Sequence, residues 1–461
     1  MTLDFFLINS SNSIYDALKQ IEANSHGIIF TIDNSGAVNG LATDGDIRRK
    51  LISGVSLQEP ISSIVNIDFL WASSTTSREF LLKKLNNKIK IIPLLDQNRF
   101  LTGIITRDNL PLQVEEPVYA RARAPVRISF GGGGSDLTHY FDRENGAVIN
   151  STISLYSHAM LRQRDDDKII IHSRDIGKTL EAENLTSLFL TNGPFGLIKM
   201  LLKSIQPHFG FELFLHSDFP MNSGLGGSAV VSAAVLGCFN QFRRDRWDLH
   251  EVAELAYQSE RLYLGIEGGW QDQYATVFGG FNFMEFRMEQ NIVHPLRIHS
   301  DILLELEESL VLCYTRITHD SGNIHKDQRQ QMQEDNIRQT VKSSVELTYR
   351  MRNQLLRGSL LQFGHSLHQA WLLKRQFSEK ISNTTLDGIY ARALNHGAVG
   401  GKLLGAGGGG FFIFYVSPYR KHDLMNSLEH VGLKTLPFRF EPEGLRTWTT
   451  REQKNHLDIE T

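Results

Sequence analysis

The stretch Pro220-Met-Asn-Ser-Gly-Leu-Gly-Gly-Ser-Ala229 decides how the chain is read. Three glycines and two serines stand between a strand-like run, Phe211-Glu-Leu-Phe-Leu215, and a small-residue helix that begins near Ser228 (Ser-Ala-Val-Val-Ser-Ala-Ala-Val-Leu236). A glycine-rich turn feeding a helix start aims several unpaired backbone N–H groups at one point, and the helix dipole adds partial positive charge there. Such a place suits a phosphate. Glycine is needed because a Cβ would block the anion and because such turns visit positive φ. The spacing fits neither G-x-x-x-x-G-K-[ST] nor G-x-G-x-x-G. A tight strand-to-helix turn without a ligand would read the same way.

The 461 residues exceed one ordinary domain, and about 150 residues per domain predicts three. A hydrophobic fraction of 41% is enough to bury sizeable cores. A net charge of -3 argues against a nucleic-acid partner. Cys238 and Cys313 both sit in apolar runs and read as reduced core residues. The first residues carry no basic region, and no apolar run approaches membrane-spanning length. The expectation is a cytoplasmic protein with no membrane partner.

Residues 1 to about 112 contain an internal echo. Asp33, Gly40 and Thr43 recur at a constant offset as Asp96, Gly103 and Thr106. Each copy reads as an amphipathic helix, an apolar strand, an Asp-containing turn, a second strand, then a Thr before a new helix. The run Gly40-Leu-Ala-Thr-Asp-Gly-Asp-Ile-Arg-Arg49 resembles a cystathionine-β-synthase-type (CBS) motif, and the two copies resemble one CBS pair. That resemblance implies a regulatory α/β pair over residues 1–115, in which Thr43 and Asp46 bind the ribose and phosphates of an adenine nucleotide or nucleotide sugar. It also implies a homodimer through the pair. The second copy offers Thr106 and Asp108 at tighter spacing, with Asn109 where the family has Asp. A purely structural pair is the other reading.

Pro111-Leu-Gln-Val-Glu-Glu-Pro117 reads as a linker. Beyond it, Val126-Arg-Ile-Ser-Phe130 alternates like a strand, Gly131-Gly-Gly-Gly-Ser135 follows, and Asp136-Leu-Thr-His-Tyr-Phe141 starts like a capped helix. Strands followed by helices without strict alternation predict an α+β fold. The helix predicted from Asp248 to Leu264 has a capping-box start, Asp248 with Glu251. Leu249, Val252, Ala253, Ala256, Tyr263 and Leu264 form its apolar stripe, and Glu260 falls in the middle of it. A carboxylate aimed inward must be paired, hydrogen-bonded or on a metal. Asp272 follows a glycine pair near a helix start, where it could also be a simple cap. A last glycine run, Gly400-Gly-Lys-Leu-Leu-Gly-Ala-Gly-Gly-Gly-Gly410, precedes the apolar strand Phe411–Val416, so a backbone approaches something closely there.

Three glycine turns and two acids, with no Cys or His metal cluster, suit phosphoryl transfer. The motifs Pro125-x-Arg-Ile-x-Phe-x-Gly-Gly-x-Ser-Asp136, Pro220-x-x-x-Gly-Leu-Gly-Gly-Ser-Ala229 and Lys402-Leu-Leu-Gly-Ala-Gly-Gly-Gly-Gly-Phe411 resemble, in order, those of the GHMP kinases. The resemblance implies a ribosomal-S5-like N-terminal subdomain over 118–310 and a ferredoxin-like C-terminal subdomain over 311–461. It puts the ATP phosphates on Ser223, Gly224, Leu225, Gly226, Gly227 and Ser228, and Mg²⁺ on Ser228 and Glu260. Asp272 would take the substrate hydroxyl proton with Arg127 beside it. Ser135 and Asp136 would hold the sugar, and Gly407, Gly408 and Gly409 would close over it. One departure is Gly227, where the family usually has Ser.

Within that family the likeness is to the kinases of D-glycero-α-D-manno-heptose 7-phosphate, carried by Gly269-Trp-Gln-Asp-Gln-Tyr-Ala-Thr-Val-Phe-Gly-Gly-Phe-Asn282, by His396-Gly-Ala-Val-Gly-Gly-Lys-Leu-Leu-Gly-Ala-Gly-Gly-Gly-Gly-Phe-Phe412 and by His368-Gln-Ala-Trp-Leu-Leu-Lys374. It implies ATP-dependent phosphorylation of an anomeric hydroxyl on a sugar phosphate, in nucleotide-sugar biosynthesis. Lys402 and Lys374 are candidates for the distal phosphate, though Lys374 reads equally as a solvated surface lysine. A fucokinase-like or hexose 1-kinase, and a nucleotide sensor without turnover, are the alternatives.

Overall fold

The computed structural model describes residues 3–110, 117–221, 223–317 and 321–451. The chain divides into two compact units, 1–115 and 116–461. The expected linker residues 111–116 lie outside the described ones.

In the first unit the echo is structural. Ser13 caps the helix Ile14–Asn24, and Ser77 caps Arg78–Lys84. Each helix leads to an antiparallel pair: Ile28–Ile32 with Val38–Thr43, then Ile91–Leu95 with Leu101–Thr106. The turns match atom for atom. Asp33 Oδ1 accepts from Ser35 N at 2.8 Å and Ala37 N at 3.1 Å, and Asp96 Oδ1 accepts from Asn98 N at 2.9 Å and Phe100 N at 2.8 Å. Phe30 and Val38 of one copy share a core with Leu95 and Ile104 of the other. The copies part at their ends. Thr43 opens the helix Asp44–Ile52, whereas residues 107–110 are bends and coil. Asp46 returns the hydrogen bond that completes a capping box; Asn109 donates its N–H to Thr106 Oγ1 at 3.1 Å and accepts from Thr106 N only through its backbone carbonyl, at 3.4 Å.

The second unit is built on Gly146–Gln163, a strand long enough to serve two neighbours on one edge. Phe281–Phe286 pairs with its first half and Phe211–Ser217 with its second, while Pro117–Gly131 runs along the other edge. These belong to an eight-stranded sheet. A four-stranded sheet, ordered Ala398–Leu403, Phe411–Val416, Leu310–Tyr314, Lys434–Leu436, makes the second layer system. Phe411–Val416 is buried at every position, as a central strand under helices must be. One apolar core joins both sheets, and the buried Cys238 and Cys313 belong to it. Arg446–Arg451, which falls in the sequence range assigned to the second subdomain, pairs with Pro117–Arg123 in the first sheet. The helix Gly227–Asn240 is buried on almost every face between Ala229 and Phe239, which its many small residues allow.

Candidate active site

The second unit holds a cavity of about 720 Å³ on which the three glycine turns converge. The strand Phe211–Ser217 delivers the first turn, and the helix Gly227–Asn240 leaves it. Gly226 sits at the helix cap with φ 80° and no side chain capping the first turn. That backbone is left-handed, and an added Cβ would lie 3.3 Å from the Asp272 carboxylate. Ser223, Gly224, Gly226, Gly227 and Ser228 face the cavity. Leu225 does not: it is fully buried in the core, and its carbonyl accepts the Arg127 N–H at 3.4 Å. The departure at Gly227 has a physical counterpart, since a Cβ there would press within 3.1 Å of the Phe219 ring. Beyond the turn the wall becomes apolar, with Ile176, Phe195, Ile198, Leu215 and Val231, a lining that suits a flat heterocycle.

Asp272 stands in the first turn of the helix Gln271–Phe278, but it caps nothing. Its Oδ1 takes the Arg127 guanidinium through Nε at 2.8 Å and Nη2 at 2.7 Å. Arg127 Nη1 donates to Gly224 O at 2.8 Å, so one buried guanidinium locks the carboxylate to the glycine turn. Both residues line the cavity.

Glu260 is 3% exposed and accepts from the Ser228 hydroxyl, from Gln273 Nε2 at 3.0 Å and from Arg261 at 3.2 Å. The helix behind it differs from expectation. The capping box of Asp248 and Glu251 forms, but regular helix stops at Tyr257 and residues Gln258–Tyr263 widen into a π-turn. Leu249 and Tyr263, expected in the apolar stripe, are exposed, while Glu260 is buried as expected; the π-turn shifts Tyr263 out of the stripe. A carboxylate and a hydroxyl, both oxygen donors on the cavity wall, suit a hard divalent cation.

Asp136 does not cap a helix either; the helix Thr138–Phe141 starts two residues later. Its carboxylate accepts from Gly134 N at 2.9 Å and Gln271 N at 3.3 Å, packed so tightly that any Cβ at Gly269 would overlap it. Burial, then the nearby charge of Asp272, raises its pKa. Ser135 turns away: its hydroxyl bridges Gly132 O at 2.8 Å and Ala147 N at 3.1 Å, behind the wall. In the last glycine run Gly405 and Ala406 face the cavity. Gly407, Gly408 and Gly409 instead pack on backbone; Gly408 N donates to Ile381 O at 2.8 Å, and Cβ atoms at Gly407 and Gly409 would strike Ile381 and Ile317.

Lys374 is no surface lysine. It is buried, donates to Leu403 O at 3.3 Å and to Gly405 O, and burial beside Arg127 lowers its pKa to about 7. Lys402 is 2% exposed, on the wall, and burial with Lys374 and Arg127 nearby lowers its pKa as well. Sequence reading missed His325 and Gln328, on the helix Ser321–Gln331. Ile324 and Gln328 in that polar helix, and Met332 just past its end, are buried at four-residue spacing, so an amide amid an apolar stripe was the available signal. In the first unit, Thr43 and Asp46 bond to each other, Oγ1 to Oδ2 at 2.7 Å, while Asp108 is exposed.

Residues 192–280 match the family model of the GHMP kinases N terminal domain, and residues 351–429 that of the GHMP kinases C terminal. The D-glycero-alpha-D-manno-heptose 7-phosphate kinase of Campylobacter jejuni is 37% identical over 335 residues, covering 71% of this chain and 98% of that one. The chain belongs to the GHMP kinase family. Another relative of this GHMP kinase is the bifunctional fucokinase/GDP-fucose pyrophosphorylase of Arabidopsis thaliana, 28% identical over 68% of the chain and 31% of the relative. Among solved structures, a D-glycero-D-manno-heptose 1-phosphate kinase from Bacteriodes thetaiotaomicron superposes with a TM-score of 0.61 at 28% identity, over 72% of this chain and 100% of that one.

Proposed function

We propose that this sugar kinase transfers the γ-phosphoryl group of ATP to the anomeric hydroxyl of a sugar phosphate, D-glycero-α-D-manno-heptose 7-phosphate. The products are the 1,7-bisphosphate and ADP, within nucleotide-sugar biosynthesis in the cytoplasm. Lys402 carries the reading: this buried lysine lines the cavity and has no hydrogen bond or ion pair to any described residue, which disfavours its charged form until an anion arrives. A buried cation without a partner is costly, and a distal phosphate supplies one. The naming of two relatives for heptose phosphate kinases supports the same choice.

In this mechanism the Ser223–Ser228 turn holds the ATP phosphates on backbone N–H groups, and the apolar wall takes the adenine. Ser228 and Glu260 supply a hydroxyl and a carboxylate for Mg²⁺, which when bound neutralises phosphate charge. Asp136 accepts from a sugar hydroxyl. Asp272 accepts the proton of the 1-hydroxyl as its oxygen bonds to the γ-phosphorus and the bond to the β–γ bridging oxygen breaks. Arg127 keeps that carboxylate in register with the phosphates.

For residues 1–115 we propose a regulatory CBS-type pair that takes an adenine nucleotide or nucleotide sugar at Thr43 and Asp46 and joins two copies of the chain. The fucokinase relative favours one alternative substrate, a sugar without a distal phosphate. ATP consumption over heptose 7-phosphate, free heptose, fucose and galactose tests the choice. Heptose 7-phosphate should far exceed free heptose in kcat/KM, and Lys402→Ala should shrink that gap. Equal values, or a preference for fucose, overturn the sugar-phosphate reading; no turnover with any sugar favours a sensor.

A further inference from the structure

His325 belongs to the cavity wall, contributed by the helix Ser321–Gln331. Its hydrogen bonding fixes which ring nitrogen carries the proton. Gln328 Nε2 donates to Ala406 O at 3.3 Å, and a carbonyl can only accept, so the amide orientation is set. Gln328 Oε1 therefore faces His325 Nδ1, at 3.2 Å, and Nδ1 must be the donor. The ring is neutral over the working range, because burial and the Arg261 charge depress its pKa to about 4 against the opposite pull of Asp272. Nε2 is then left with a bare lone pair. It has no partner among the described residues, and the half-buried ring belongs to a residue of the cavity wall.

We propose that His325 Nε2 accepts a hydrogen bond from a hydroxyl of the acceptor sugar, so that the Ala406–Gln328–His325 chain sets which sugars fit the site. The ligand class is a polyol ring that presents an O–H donor to this wall, next to the carboxylates of Asp136 and Asp272. His325 is a specificity residue, and Gln328 positions it. The inference rests on the sugar-kinase reading but not on any one sugar.

The test uses the full chain and whichever sugar the wild-type enzyme turns over best. His325→Phe keeps the ring's shape and removes the acceptor. Its KM for that sugar should rise about tenfold or more, the usual scale for a buried donor left unpaired, with KM for ATP unchanged. A series of deoxy-sugars should contain one analogue on which wild type and His325→Phe become equal, and His325→Gln should recover part of the loss. Gln328→Leu should shift KM in the same direction. Unchanged sugar KM in a His325→Phe enzyme of normal Tm overturns the inference, as does a shift confined to ATP. Failure of heptose 7-phosphate as a substrate would instead fall on the proposed function, since the comparison then runs on another sugar. If His325→Phe does not fold, the deoxy-sugar series on wild type and Gln328→Leu decides alone: no analogue equalising the two sinks the proposal.

Discussion

At the scale of single residues, the carboxylate of Asp272 is defined by what holds it rather than by its place in a helix. Arg127 occupies one oxygen and ties the group to Gly224. If it accepts the substrate proton, Asp272→Asn keeps the shape and removes the base, so kcat should fall by about 10²-fold or more while ATP affinity stays near normal. Turnover close to wild type would remove Asp272 from the chemistry. Lys374 gives a pH signature. Its folded pKa of about 7 lies below the ordinary lysine value, so its charge is unfavourable in the folded chain at low pH, and that cost fades as pH rises above about 7. A bound phosphate favours the charged form. The KM for a sugar phosphate should therefore rise severalfold from about pH 7 to about pH 9, while the KM for a free sugar stays flat. Parallel profiles for the two sugars would sink the assignment of Lys374 to the anion.

At the scale of elements, the π-turn over Gln258–Tyr263 is what aims Glu260 at Ser228. Widened turns of this kind are frequent at functional sites. Glu260→Gln keeps the side chain's shape but gives up the ion pair with Arg261 and one acceptor oxygen, and offers a neutral amide, a poorer ligand for a hard cation. The Mg²⁺ concentration giving half-maximal rate should rise, and Tm should fall as the Arg261 pair is lost. An unchanged Mg²⁺ dependence would leave Glu260 as a buried structural acid paired with Arg261 and Gln273.

At the scale of the whole molecule, all the cavity residues belong to the unit 116–461. A chain beginning at Glu116 should fold and phosphorylate sugar. Its kcat/KM should lose only a several-fold response to nucleotide, given that couplings between sites are about 1–3 kcal/mol. Calorimetry of adenine nucleotides and nucleotide sugars on the full chain and on Asp46→Ala tests the source of that response; no heat with any of them removes the ligand from the proposal. The opposite terminus behaves differently. Arg446–Arg451 fills an edge of the first sheet, and Thr447 and Leu445 pack on the helix at Gly237. Deleting residues 446–461 should lower Tm markedly and expose that edge.

Features set by short-range chemistry could be read from the chain directly. The capping boxes, the Asp33 and Asp96 turns, the left-handed glycines and the apolar central strand depend on neighbours a few residues away, so spacing alone carries them. Regular helical spacing anticipates the inward face of Glu260, but not the π-turn that carries it. Contacts across long stretches of chain are not legible in this way. Nothing near Arg127 in sequence says that it meets Asp272 and Gly224, and nothing near Lys374 says that Gly405 covers it. Ser135 and Gly407 to Gly409 have the composition of a ligand loop, yet the partners that claim them are Ala147, Ile381 and Ile317, brought in by the sheets. Side-chain direction at such places is decided by packing between elements, and only the tertiary structure holds that information.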